Sequence, residues 1–496
     1  MQSSRASLVR PLAFVAGLLT VIILLLSSHR QPRAVVSAQS KMVTCAYAGS
    51  VAPNPVLPTS IDSTCAQIPY APALFDRSEG GKKPVKLTTD QDAADMYSWL
   101  SFIALNWPVN PQTCTPDTSQ SILTNPNNPT WMSYIGSGDV FKMAGKPDPW
   151  CGGQVPPTGG GAPLKGLSAM QQREIARLPT AVRQIASAHP EVSLYLANDS
   201  KSEELMDSSP TLLTSGPDRL KSILQSTNKP IVDQNGRFAR YSIAMNKDEY
   251  ELINNNDLYT RAGQAKYGPV TFPESNKARN IMGAMEVKAA WKVLGKGDNP
   301  AHFFTRKALV YNGRSGKPSP DGLVTVGLIG LHIAHKSEGQ LYWAWSTFEQ
   351  VENNTTSFFN ADCHATTPNP DNHCLVNKPT ADAYAIELGP DGKPLQFPTQ
   401  IQLNDYIKPT NPGYDTAFQG LLANTPWAYY KLISTQWNSG ATGIFPRLMA
   451  SSVQETFVPQ FTKDGAVLDG CVACHNGAKD SAKQTTEFSF LLQAKH

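Results

Sequence analysis

A chain of 496 residues with 43 basic and 40 acidic side chains carries a formal charge of only +3, and its Lys and Arg are spread without any run. That excludes the electrostatic footprint of a nucleic-acid binder. The length supplies roughly two to four domains' worth of material, so a sizeable core can be buried.

At the N-terminus, Arg5 and Arg10 precede the apolar stretch 12–26, and polar Ser27-Ser28-His29-Arg30 follows. That stretch is short for a bilayer span, which takes about 20 residues. Val36-Ser37-Ala38 offers the small residues a signal peptidase cuts after. Residues 1–38 are therefore read as a signal peptide or an uncleaved membrane anchor. Either way the body is expected in the periplasm or outside the cell, held at the inner membrane in the anchored case.

Residues 39–90 are rich in Pro, Ser and Thr and lack sustained periodicity, which predicts an extended segment tied by a disulfide. A helix is predicted next. Asp90-Gln91-Asp92 would cap it, Met96, Trp99, Leu100, Ile103 and Ala104 recur at helical spacing, and Pro108 would stop it. The stretch 106–166 is turn-rich and includes the loop Pro156-Pro157-Thr158-Gly159-Gly160-Gly161.

Helical patterns cover 170–197, interrupted by Pro190, and 217–225. Then the pattern changes to strands. Asn235-Gly236 between two apolar runs predicts a hairpin over 232–243, and 286–291, 308–311, 323–335 and 340–349 are short runs rich in β-branched and aromatic residues. After 362 the chain is again Pro- and Asn-rich, and 427–436 and 449–457 are predicted as short helices. The expected architecture is α+β. A body at 91–445 would hold a β-rich central sheet with flanking helices, and 446–496 would pack on it.

That last segment contains the sharpest chemical signal, Cys471-Val472-Ala473-Cys474-His475. In Cys-x-x-Cys-His two thiols add to haem vinyl groups and the following imidazole falls under the iron, so one covalent haem c is expected. Two rivals are a thiol redox pair and half of a zinc site. The first lacks a strand-to-helix βαβ setting around Gly470. The second would need partners such as Cys363, His364, His373 and Cys374. Setting the motif aside leaves Cys45, Cys65, Cys114, Cys151, Cys363 and Cys374, an even number suited to disulfides. Sequential pairing would close local loops, Cys363 with Cys374 foremost.

No Met follows His475, so a sixth iron ligand would come from upstream or from His496. His332 ranks first. In a strand it and His335 would point to opposite faces, so only one can face the iron. Met449 comes next, then His335, then His302 and Met285, and five-coordinate iron is a further alternative. Tyr342-Trp343-Ala344-Trp345 is read first as sheet packing and second as a stacking or electron-relay element.

Ala104-Leu105-Asn106-Trp107-Pro108, Glu286-Val287-Lys288-Ala289-Ala290-Trp291, Gly327-Leu328-Ile329-Gly330-Leu331-His332-Ile333, Trp343-Ala344-Trp345-Ser346-Thr347-Phe348-Glu349, Thr435-Gln436-Trp437, Glu455-Thr456-Phe457-Val458, Cys471 to His475 and Phe488-Ser489-Phe490-Leu491-Leu492 form an ordered series. From about Asp95 onward this series resembles a bacterial family of large, exported, monohaem cytochrome c family proteins. The resemblance implies thioether attachment at Cys471 and Cys474 with His475 on iron. It also implies a regular histidine at the position of His332, a variable one at that of His335, and a lower rank for Met449.

The expected function is one-electron transfer with a redox partner protein. The alternatives are an oxidase- or peroxidase-type haem enzyme with an open iron position, and a surface binding protein in which haem is structural.

Overall fold

One long helix is buried on all sides along its second half. In α1 (Leu87–Leu105) Met96, Tyr97, Trp99, Leu100, Phe102, Ile103, Ala104 and Leu105 are all buried, as are Ser98 and Ser101. A helix buried on every side must have its polar groups paired, and Asp95 and Ser98 meet Gln91, Ser346 and Thr435. It ends where the Asn106 side chain donates to the Phe102 carbonyl and Pro108 offers no N–H.

The computed structural model describes chiefly residues 58–70, 87–141, 145–152, 180–189, 239–312, 317–353, 412–438 and 471–493, with shorter pieces between them. Met42–His496 form one unit and Met1–Lys41 another, the latter wholly outside the described residues. Among the described residues no helix is long and apolar enough to cross a membrane.

After α1 come β1 (Val109–Asn110), β2 (Thr115–Pro116), β3 (Ile135–Gly136), α2 (Ser137–Val140), α3 (Thr180–Ala188), β4 (Leu194–Leu196), β5 (Leu224–Gln225) and β6 (Lys229–Pro230). The centre holds β7 (Arg240–Met245), α4 (Lys247–Asn255), α5 (Arg261–Tyr267), β8 (Met285–Val293), β9 (Thr305–Asn312), β10 (Lys317–His335) and β11 (Ala344–Gln350). There follow α6 (Pro412–Leu421), β12 (Tyr430–Asn438), β13 (Ile444–Phe445) and α7 (Cys471–His475).

Nine of these strands build one sheet in the order β13-β12-β11-β10-β8-β7-β3, with β9 beside the first part of β10 and β4 beside β9. Every pair is antiparallel except β4 with β9. The fold is thus α+β.

Alternation along the strands gives the sheet two buried faces. Met285, Val287, Ala289, Trp291, Leu331, Ile333 and Phe348 share one apolar cluster with α1 and α6. Ser98 Oγ of α1 lies 2.6 Å from Ser346 Oγ and 2.5 Å from Thr435 Oγ1 on this face. The other face carries Glu286, Lys288, Gly330, His332, Ala334, Trp345 and Thr347 in paired rows. Gly330 lets a later segment approach: a Cβ there would stand 2.5 Å from Val453 Cγ2. Ser451 Oγ donates to Glu349 at 3.0 Å, and Tyr241 Oη donates to the Val453 carbonyl at 2.9 Å, fastening that segment down.

Several expectations change. The helix expected from Asp90 starts at Leu87. The stretch 427–436 is a 3-10 turn, Pro426–Tyr429, followed by strand β12, whose residues 432–436 are all buried and whose pairing with β11 shifts register at Ile433, so that Leu432 opposite Phe348 and Ser434 opposite Thr347 lie on different faces. Continuous burial masks the alternation that identifies a half-exposed strand. The ends of two predicted helices, 194–196 and 224–225, are strands: β4 pairs with β9, and β5 with β6. Residues 449, 451, 453 and 454 are not helical. Asn235-Gly236 and the loop 156–161 lie outside the described residues.

Cys45 is disulfide-bonded to Cys65, and Cys114 to Cys151, two of the three sequential pairs. Cys363 and Cys374 lie outside the described residues.

One buried acid gives the fold a pH dependence. Asp95 of α1 accepts a 2.9 Å hydrogen bond from Gln91, and burial pushes its carboxyl up to about 7. An acid whose folded value is raised contributes stability that is fully present below its unfolded value near 4 and is lost as pH rises through about 7. Urea unfolding at pH 5 and pH 8 is expected to show lower stability at pH 8. Asp95→Asn is expected to recover about 2–4 kcal/mol of the difference. An unchanged pH dependence in that variant would refute the assignment.

Candidate haem-attachment site

Residues three and four apart on a helix share a face, so the single helical turn α7 brings Cys471, Cys474 and His475 to one side. The turn is held to the sheet by Val472 N–H, which donates to Gln436 Oε1 of β12 at 2.9 Å. Gln436 pairs with Trp345 of β11, so α7 docks on the face that carries His332, away from α1.

His475 is 7% exposed. Its ring lies 4.9 Å from that of Phe490 and 5.7 Å from that of Trp345. Its Nδ1 lies 2.6 Å from the Phe488 carbonyl oxygen. A carbonyl can only accept, so Nδ1 carries the proton and the neutral imidazole has its lone pair on Nε2. This is the tautomer of a metal-ligating histidine, whose second nitrogen is regularly anchored to a carbonyl or carboxylate.

The backbone that supplies that carbonyl is strained. Glu487 and Phe488 both have positive φ, in a region that non-glycine residues rarely adopt. Strain of about 1–3 kcal/mol per residue persists only where neighbours over-determine it. Here Glu487 Oε1 binds Lys336 Nζ at 2.6 Å, and its Oε2 accepts Phe272 N–H at 2.7 Å. Thr485 accepts from Val270 N–H at 3.0 Å. Gln264 of α5 donates to the Leu492 carbonyl at 3.0 Å and accepts from Ser481 N–H at 3.0 Å. Residues 478–493 thus form a clamp that sets the carbonyl under His475.

The other candidates divide by face. His332 of β10 is 7% exposed and lies on the α7 side, its Nδ1 2.8 Å from Thr347 Oγ1. It stands one same-face row from the Ala334–Trp345 pair, about 7 Å along the strand. His335 points the opposite way. Its Nδ1 lies 2.5 Å from Tyr97 Oη and its Nε2 2.6 Å from the Met282 carbonyl, so both nitrogens are engaged.

Met285 packs in the α1-side cluster, whereas Met449 is buried in the same cluster as Val472 and Trp345. His302 uses Nδ1 on Glu352 and Nε2 on Asn299, and stacks on Tyr429. The side chain of Cys474, together with His364, His373 and His496, lies outside the described residues. Among the described residues no group of three His, Cys, Asp or Glu side chains is placed to hold a bare metal ion.

Two indole donors test whether a haem fits. Trp343 Nε1 and Trp345 Nε1 are buried and meet no acceptor among the described residues. A buried indole N–H ordinarily has a partner. An unanswered donor such as Trp345, beside the His475 ring, suits a large apolar group that carries carboxylates, and porphyrin propionates are such carboxylates. Across the same face, Glu286 lies two strands from Trp345 in the same row and faces Glu249 of α4. Burial, and then the neighbouring Glu286 charge, raise the Glu249 carboxyl well above its ordinary value, so this pair holds a proton.

The sequence pattern does not single out Gln264, Lys336, Gln436 or Glu487 for the site. Isolated polar residues carry no periodic or motif signal. The clamp arises only when 264, 272, 336 and 436 are brought to one place by the sheet. No family model, curated protein or solved structure matches the chain.

Proposed function

We propose that the chain is an exported monohaem protein that passes single electrons to a redox partner protein. In this reading one haem c is joined by thioether bonds at Cys471 and Cys474, His475 is its axial ligand, and His332 is the candidate ligand on the other side. The carrying observation is the His475 Nδ1–Phe488 carbonyl bond, which leaves Nε2 as the basic nitrogen of the motif's histidine. The haem supplies the one-electron couple. The protein's own part is to hold the imidazole tautomer through the Phe488 carbonyl, to bury the ring between Phe490 and Trp345, and to offer the Trp345 indole donor to a propionate. Two disulfides support the export part of the reading, because such bonds persist in oxidising compartments.

A second reading, a haem enzyme with an open iron position, is favoured by the placement of His332 on the same face beside Thr347, where an imidazole could serve as acid or base. Optical spectra of the purified ferric and ferrous protein, with and without carbon monoxide, separate the two. Low-spin iron that ignores carbon monoxide is expected for the carrier, and carbon monoxide binding would sink that reading. Absence of any haem absorbance would sink both. His332→Ala is expected to turn low-spin iron high-spin. An unchanged spectrum rejects His332 as the second axial ligand.

A further inference from the structure

The face of the sheet away from the candidate haem holds a buried tyrosine–histidine pair that the proposed function does not use. Tyr97 of α1 is 2% exposed and His335 of β10 is fully buried. Tyr97 Oη lies 2.5 Å from His335 Nδ1, and the two rings are nearly parallel, 8° apart in plane. His335 Nε2 lies 2.6 Å from the Met282 carbonyl and must donate to it, so in the neutral ring Nδ1 is the acceptor of the phenolic proton. Burial holds the imidazole down to about 4, which keeps it neutral and able to take a proton. Burial also pushes the Tyr97 phenol up, so simple deprotonation is closed to it. The phenol therefore begins as a neutral donor aimed at a neutral base, with no water between them.

We propose that Tyr97 is a redox-active tyrosine, oxidised by one electron as its phenolic proton passes to His335 Nδ1. The oxidant is a strong one-electron acceptor of the peroxide-oxidised metal-centre class. It gains the electron that Tyr97 loses, while the O–H bond breaks and an N–H bond forms. His335 becomes an imidazolium whose Nε2–H still binds the Met282 carbonyl, and Tyr97 becomes a neutral radical that accepts a hydrogen bond back from Nδ1. Re-reduction returns the proton over the same 2.5 Å. A chemical path to the other face exists: His335 pairs across the strands with Ala344, which Trp343 and Trp345 flank, and the Trp345 ring lies 5.7 Å from His475. Coupling the proton to the electron is what makes oxidation feasible in a buried site, since a cationic phenol radical there would be desolvated and unpaired.

The proposal does not rest on haem occupancy, because its test supplies the oxidant. Flash photolysis of the full-length purified protein with a ruthenium(III) polypyridyl generated by an irreversible electron acceptor is followed by freeze-quench electron paramagnetic resonance. The expected product is one hydrogen-bonded neutral tyrosyl radical. Tyr97→Phe is expected to remove it, and His335→Gln is expected to reduce its yield at least about tenfold by removing the base. A radical that persists unchanged in Tyr97→Phe, or a yield unaffected in His335→Gln, overturns the assignment. The wild-type protein labelled with 15N-histidine gives a reading that needs no variant. A nuclear coupling between the radical and a histidine nitrogen is expected, and its absence overturns the proposal even if both substitutions disturb folding.

Discussion

Replacing Cys471 and Cys474 together by Ser is expected to leave a folded, exported chain that carries no haem through denaturation, whereas the parent retains one haem mass per chain. Intact-protein mass spectrometry after acid and organic denaturation reads this directly, and a haem mass that survives in the double variant would refute thioether attachment at these positions. The expectation follows from placement as well as motif. The helical turn α7 puts residues 471, 474 and 475 on one side, and Val472 N–H ties that turn to Gln436. A single Cys→Ser change is expected to give one thioether and a shifted ferrous α-band in place of complete loss. Glu487→Gln makes the complementary test of the clamp. It removes the charge that pairs with Lys336 and loosens the backbone that presents the Phe488 carbonyl, so attachment should survive while the axial-ligand field, read as the reduction potential, moves.

Trp99→Ala is expected to be the most damaging single substitution on the α1 side of the sheet, lowering unfolding free energy by about 4–5 kcal/mol. The indole is fully buried and sits edge-on to Phe102 and Phe348 and stacked on Phe418, at centroid distances of 5.5, 5.1 and 5.1 Å. Removing it opens a cavity where α1, β11 and α6 meet. The same change takes away the 3.0 Å hydrogen bond from Trp99 Nε1 to Asp415, a carboxyl that burial already raises to about 6. Trp99→Phe keeps most of the apolar volume but loses that donor, and is expected to cost roughly half as much. Urea melts at pH 5 and pH 8 distinguish the two contributions: the loss of the donor weighs more at the higher pH, where Asp415 is ionised. Equal costs for Ala and Phe would show that the cavity is not the main effect.

How much of this was legible in the sequence depends on where each signal came from. Strand parity in β10 was readable because Gly330-Leu331-His332-Ile333-Ala334-His335 needs no partner to define its alternation, and the two histidines do lie on opposite faces. The strands at 286–291, 308–311 and 323–335 were readable from β-branched and aromatic runs, and that expected at 340–349 begins only at Ala344. β12 was not, because both its faces are buried and a local pattern cannot separate a buried strand from a short helix. α4 was missed although its Asn246 cap and Glu249 form a capping arrangement, since its acids and asparagines outweigh a thin apolar stripe. At the candidate site the motif was legible and the clamp was not. Lys336 with Glu487 spans 151 residues of sequence, and Gln264 with Ser481 spans 217. No window of sequence contains either contact.

Residues 330–335 of β10 are hydrogen-bonded on both sides, to β8 and to β11, so neither neighbour can slide without the other. Substitution there changes one contact. A change of length is a different matter, because inserting or deleting one residue between His332 and His335 reverses the face of everything beyond it. The imidazole that serves Tyr97 would turn towards the C-terminal clamp, and its place beneath α1 would pass to a neighbour of another shape. This short stretch should therefore exclude insertions and deletions more strictly than substitutions, whichever of the two faces selection acts upon.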